Sequence, residues 1–486
     1  MSDFVVLDYP FRCDVEGLFN AVRDLPSPIW LDSGKPRSLQ GRLDIISAAP
    51  ARTLETRGDK TYISDSQGHK EISTACPFRL CNETMQDYAH ANDKQSELPF
   101  IGGLAGFFGY ELGKTPSIKS TPVKSTSTKS TSTKSTSTKR TLAKNETSKN
   151  VNNHPSRMPD MHVGYYLWAL IINQQTSQAH LVFHPACPPA LRKDVQARLA
   201  SPSPIAETAF TLSSPFKAST SHKEYKEAIA KIKAYIRAGD CYQANYAQHF
   251  SATYSGDSWA AYLQLRRALP SPFSAYLSWD DKAILSLSPE RFIKISGRQV
   301  EAKPIKGTIA RGISVEEDQE QAIRLMNSSK DRAENLMIVD LLRNDLGKSC
   351  QPGSIRVPKL FNLESFANVH HLVSTVTGRM KKGITPIELF TNCFPGGSIT
   401  GAPKKRAMEI IAETEHVSRS IYCGSIGYFS ANGRMDSNIA IRTLLAENKR
   451  LHCWGGGAIT SDSGPESEYQ ESLAKVSLLM DTLAKL

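Results

Sequence analysis

A chain of 486 residues is too long for one small core and long enough for two subdomains or one large α/β body. Its 40% hydrophobic and 22% charged content excludes a disordered or fibrous chain, the apolar run GYYLWALIIN is about half the ~20 residues a membrane span needs, and nine cysteines without a CxxC pair argue against a disulfide framework or zinc site. The net charge of +11 is concentrated in residues 114–149, where eight lysines, one arginine and one glutamate supply +8 and leave about +3 for the rest, so a nucleic-acid partner is weakly motivated.

The opening MSDFVVLDYP lacks a basic stretch followed by an apolar one, so no secretory leader is expected and the chain reads as cytoplasmic. FIGGLAGFFGYELG and MPDMHVGYYLWALIIN have the apolar strand-and-turn character of one N-terminal layer. Between them lysine recurs at 114, 119, 124, 129, 134, 139, 144 and 149, mostly within KSTST. A five-residue step turns about 140° on a helix, so no face forms, and there is almost nothing apolar to bury. A disordered insertion at 114–158 is expected, a nucleic-acid or membrane arm being the sharper alternative. The Ser/Pro-rich SPSPIAETAFTLSSPFKASTS sets a boundary near residue 215, dividing a 1–215 subdomain from a 216–486 domain.

Beyond it, Tyr225, Ile229, Ile232 and Ile236 at helical spacing predict an amphipathic helix with Gly239 as its stop. Strands are predicted at CYQANYAQHF, FSAYLSW and AILSLS, and helices at DRAENLMIVDLLRND, APKKRAMEIIAETE and SEYQESLAKVSLLMDTLAKL. No regular βαβ alternation is visible, so the body is not doubly wound.

Two helices carry carboxylates on an apolar stripe. Asp331 and Glu334 precede Ile338 and Leu341, and Glu468 and Glu471 precede Leu478. Facing each other, they would make a hard-oxygen site of the kind Mg²⁺ takes; the plainer reading is surface pairing, Glu471 with Lys475 being an i, i+4 ion pair. FPGGSITGAPKKRAMEII is a glycine-rich loop entering a helix, with Thr400 or Gly401 near the N-cap; it lacks the GK[ST] of a Walker A loop, but its amides suit an anion. Gly455–Gly457 would let a ligand approach the backbone. Arg442, in strand-like IAIRTLL, wants an anionic partner, and His371 in VHHLVSTV is either a satisfied core histidine or a ligand contact. Glu290, after a strand and a Pro turn, is placed to be a general acid. Lys306 in KPIKGT is a solvated loop lysine on pattern alone, or a nucleophile if desolvation or its sequence neighbours Lys303 and Arg311 depress its pKa.

Taken together, GDCYQANYAQ, SLSPERF, PIKGT, DRAENLMIVDLLRND, VHHLVSTV, FPGGSITGAPKKRAMEII, YCGSIGY, IAIRTL and GGGAITSDSGPESEYQES resemble the chorismate-utilising enzymes, densely over about 220–480. The resemblance implies an α+β fold of two subdomains, with packed, largely antiparallel sheets and flanking helices, and an Mg²⁺-dependent site. Lys306 points to the branch that aminates chorismate at C4, since anthranilate synthases, the alternative, resemble PIAGT at this turn. By motif position, Glu290 is then the acid and Lys306 the nucleophile, and Glu334 with Glu471 holds Mg²⁺. His371, Thr400, Arg442, Gly455, Gly456, Gly457 and Lys475 bind chorismate. LDSGKPRSLQGRLDI resembles the family's tryptophan pocket, implying Ser33, Gln40, Gly41, Arg42 and Leu43 with Pro272, Phe273 and Ser274. No G-x-C-x-G loop is present, so a separate glutamine amidotransferase subunit is implied as the ammonia source.

Overall fold

The computed structural model describes residues 4–12, 14–34, 43–90, 96–114, 158–202, 209–366 and 369–486. The lysine repeat beyond Lys114, and Gln40, Gly41 and Arg42, lie outside these residues. Two large antiparallel sheets, of 13 and 12 strands among the described residues, carry the fold, with helices packed around them. This is the expected α+β architecture.

The apolar N-terminal runs become Gly103–Phe108 and Met161–Tyr166, adjacent strands buried at every position. That explains their unalternating sequence, since a strand covered on both faces has no polar side to show. The sheets meet where Trp279 of one packs on Phe107 and stacks on His162 of the other, with ring centroids 5.5 and 4.6 Å apart.

Both sheets are composites of early and late chain. Ile29–Asp32 pairs with Phe273–Trp279, and Gly103–Phe108 with Ser425–Ser430. Each sheet therefore takes strands from both sides of residue 215. The Ser/Pro-rich segment is itself stitched to the first sheet, because Phe210–Leu212 and Lys217–Ala218 both pair with Gln243–Gly256.

The predicted amphipathic helix is His222–Arg237, started by a capping box between Ser221 and Glu224 and followed by Gly239 at φ +82°. The helix after the glycine-rich loop starts at Lys404, later than the spacing predicts. Gly401–Ala402 is instead taken up as a short strand on Gln243–Ala244, and Thr400 turns its hydroxyl back to the Gly396 and Gly397 carbonyls. Among the described residues, no helix is long and apolar enough to cross a membrane.

Two buried histidines lie on adjacent strands of the first sheet, Gln243–Gly256 and Arg450–Ile459. His249 Nε2 and His452 Nδ1 are 3.0 Å apart, and the Ser219 hydroxyl is 2.6 Å from His249 Nδ1. Burial pushes His249 to about 3 and His452 to about 4, so both are neutral in the fold. In the unfolded chain each takes a proton below the ordinary value of ~6.5. Their contribution to stability is complete above that pH and falls as pH drops toward 4, by at most about 1.4 kcal/mol per unit per ring. Glu290 and Asp44, raised by burial to about 7 and about 6, act in the opposite sense. The readout is therefore a difference: the fall in urea midpoint from pH 7 to pH 5 is expected to be smaller in His452→Asn than in the parent, and equal falls contradict it.

Candidate active site

A cavity of about 620 Å³ opens where the second sheet's Ile305–Ala310 strand, the glycine-rich loop, the Ser329–Ser349 helix and the Pro465–Leu483 helix converge. Glu290, Lys306, Glu334, His371, Arg442, Gly455–Gly457, Glu471 and Lys475 all line it, although they are drawn from 186 positions of chain.

Lys306 gets there through a bulge. The ladder between Ile305–Ala310 and Val369–Arg379 slips between Ile305 and Thr308, at Lys306 and Gly307. Gly307 takes φ +81°, and a Cβ there would meet Asp331 Cβ and Leu325 Cδ1 at 3.0 Å. A bulge re-aims a side chain; here it leaves Lys306 with a side chain 12% exposed and Nζ 3.9 Å from Glu334 Oε2. Burial lowers the Lys306 ammonium below its ordinary value; Glu334 opposes this and Lys475 adds to it. The sequence neighbours are not the cause, because Lys303 is engaged by Glu364 at 3.2 Å and Arg311 by Asp318 at 2.6 Å.

Glu290 follows the Lys282–Ser288 strand and is buried. Its amide donates to Ser288 Oγ at 3.2 Å, and Ser398 Oγ donates to its Oε1 at 2.9 Å. Burial raises the carboxyl to about 7 against the pull of Ser398 and Lys306, so a proton is available on it near neutrality.

The two acidic helices do face one cavity. Burial raises Glu334, with Lys306 and Lys330 opposing. Burial works against ionised Glu471 too, but Lys475, 2.7 Å away, holds it low, and Lys475 also donates to the Gly456 carbonyl at 3.0 Å. The i, i+4 pair thus exists, at the cavity wall. Glu468 accepts from Ser463 at 2.7 Å and lies 3.9 Å from Lys330. Leu478, expected on the buried stripe, is 43% exposed at the mouth. Carboxylate oxygens from Glu334 and Glu471 fit a hard divalent cation. Among the described residues, no group of three acidic, His or Cys side chains is placed to hold a metal ion.

Arg442, His371 and the Gly455–Gly457 backbone complete the cavity lining. Arg442 is not in a strand: it sits at φ +50° between Met435–Asn438 and Thr443–Glu447, and it has no carboxylate partner among the described residues. His371 Nδ1 is 2.7 Å from Thr308 Oγ1, and burial beside Arg442 pushes it to about 3, so the ring is neutral. Gly455 is required by packing, since a Cβ would lie 2.4 Å from the Ser472 carbonyl of the last helix. At Gly457 a Cβ would instead crowd Glu468 Oε2 at 3.1 Å and Lys475 Nζ at 3.5 Å, so its bare backbone faces the charged wall.

Thr400 does not reach the cavity. It is fully buried with its hydroxyl spent on the loop, and Ser398, two residues earlier, lines the wall in its place. Asn245, Tyr422 and Trp454 also line it. No spacing rule singles these out; the only signal for Ser398 was a hydroxyl inside a glycine-rich run.

A second cavity of about 430 Å³ is lined by Leu31, Leu43, Pro272, Phe273 and Ser274 and by charged side chains that include Asp32, Arg291, Lys294, Arg434 and Asp436. Ser33 stands behind this wall, its amide and hydroxyl both donating to Asp44 Oδ1 at 3.0 and 3.2 Å. Pro272 lines both cavities.

The profile of the chorismate binding enzymes matches residues 26–481, and the chain belongs to that family. Aminodeoxychorismate synthase component 1 of Klebsiella aerogenes is 43% identical, covering 98% of both chains. The protein of the same name from Escherichia coli (strain K12) is 41% identical, covering 97% of this chain and 96% of that one. Among solved structures, anthranilate synthase component I from Streptococcus pneumoniae TIGR4 superposes with a TM-score of 0.75 at 29% identity, covering 91% of this chain and 93% of that one.

Proposed function

We propose that this chain converts chorismate and ammonia to 4-amino-4-deoxychorismate, the chemistry its full-length relatives are named for, and so feeds p-aminobenzoate and folate synthesis. The observation that carries the reading is Lys306, desolvated and bulged into a cavity that also holds a carboxyl of raised pKa, Glu290.

In this reading the neutral Lys306 amine attacks ring C2 while the C4 hydroxyl departs as water with the Glu290 proton, the ring double bonds shifting between them. Hydroxide is a poor leaving group, which is why a protonated acid is needed. Ammonia then bonds to C4, and Lys306 leaves C2 as the free amine, so one hard displacement becomes two easier ones. Arg442 and the Gly455–Gly457 backbone bind carboxylate, while Lys475 and the neutral His371 ring orient the substrate ring. Mg²⁺, held by Glu334 and Glu471, would neutralise the ring carboxylate when bound. Thr400 supports the loop from behind. Ammonia comes from a glutamine amidotransferase partner, in keeping with the "component 1" of the relatives' names. The second cavity would take tryptophan, held structurally between the two sheets.

Incubation with chorismate, Mg²⁺ and ammonium tests the reading. The expected product yields p-aminobenzoate only after a separate lyase is added; fluorescent anthranilate formed without one overturns it.

A further inference from the structure

We propose that Ser398 is the positioning residue of the acid: its hydroxyl fixes the Glu290 carboxyl so that the proton is carried on the oxygen it leaves unoccupied, Oε2. This rests on the assignment of Glu290 as the acid.

Three observations converge. First, the Ser398 hydroxyl is itself nearly buried, lines the cavity, and donates at 2.9 Å to one carboxyl oxygen alone, Oε1. Second, the turn that presents it, Gly397–Ile399, is held from outside by Asn245 and by Arg419, whose Nη1 donates to the Ile399 carbonyl at 2.8 Å. Asn245 Nδ2 donates to the Ser398 carbonyl at 3.3 Å, and the Asn245 amide donates to the Thr400 carbonyl at 2.8 Å. Third, Leu341 packs directly on the turn, since a Cβ at Gly397 would lie 2.6 Å from its Cδ2. Thr400 closes the turn internally. The loop's conformation therefore resolves into one exported hydrogen bond, to Glu290. An oxygen that already accepts a hydroxyl proton is the poorer site for the acidic proton, so Ser398 biases the proton toward Oε2. The other groups facing Glu290 are the Lys306 ammonium and the Ile305 amide, both favouring the ionised form, and the Cys423 thiol.

The test is a pH profile of kcat for amination of chorismate with ammonium and Mg²⁺. Glu290→Gln is expected to abolish one limb, which assigns that limb to Glu290. In Ser398→Ala the same limb is expected to move up by roughly one pH unit, since a donor to the charged form is lost, and kcat is expected to fall about tenfold while KM for chorismate stays within twofold. Ser398→Thr, which keeps the hydroxyl, is expected to restore both; it also serves where the alanine variant fails to fold. An unmoved limb in Ser398→Ala, a threonine variant that behaves like alanine, or an effect confined to KM overturns the proposal. A limb that survives Glu290→Gln overturns the assignment of the acid instead.

Discussion

In Lys306→Ala, the chorismate-derived adduct is expected to vanish. Without ammonia the parent should accumulate a species heavier by chorismate less one water, visible by intact-protein mass spectrometry with Mg²⁺ present, because nothing then expels the amine from C2. The alanine variant has no amine to form that bond. The change should not unfold the protein. It removes a desolvated amine from the cavity wall, and Glu334 retains Lys330 nearby. The expected secondary effect is that the Glu334 carboxyl, already raised by burial, rises further. A chorismate-derived mass retained on the alanine variant overturns the nucleophile role.

Glu290→Gln is expected to lower kcat by on the order of 10²- to 10⁴-fold, the usual worth of a positioned general acid, with little change in KM. Glutamine has the same shape and still offers an oxygen to the Ser398 hydroxyl, so the loop should stay in place while the transferable proton is gone. The parent should show a limb near pH 7, where Glu290 titrates, and the variant should lack it. Because the substitution replaces a buried ionisable group by a neutral one, the thermal midpoint should not fall. A kcat within tenfold of the parent contradicts the acid role.

Much of this was legible in the sequence, for physical reasons that differ by residue. Tyr225, Ile229 and Ile232 announced their helix because helical periodicity and burial coincide there. Glu334 and Glu471 were legible as carboxylates on apolar stripes, where an unpaired charge is costly. Lys306 was not legible from its local pattern. Its meaning comes from a register slip and a left-handed glycine that exist only once Val369–Arg379 is alongside. The expectation for Lys303 and Arg311 failed for the same reason: nearness in sequence is not nearness in a pleated strand, and the lysine that matters, Lys475, arrives from the last helix. Thr400 and Ser398 could not be told apart because a two-residue offset in a turn reverses which hydroxyl faces inward. Arg442 was expected in a strand, and its apolar neighbours are buried as a strand's would be. Its own backbone is turned out of the ladder so that the guanidinium enters the cavity.

The composite sheets have a consequence for how the molecule is made. Ile29–Asp32 finds its partner in Phe273–Trp279, and Gly103–Phe108 finds Ser425–Ser430, each more than half the chain away. Neither sheet can be completed on the ribosome until the last part of the message has been read, and loop closures of that span make assembly slow. During that interval the nascent chain presents wholly apolar strands such as Gly103–Phe108 with one edge open. Such a chain has no early stopping point: a truncation anywhere before Ser425–Ser430 forfeits both the second sheet's centre and the last helix that carries Glu471 and Lys475.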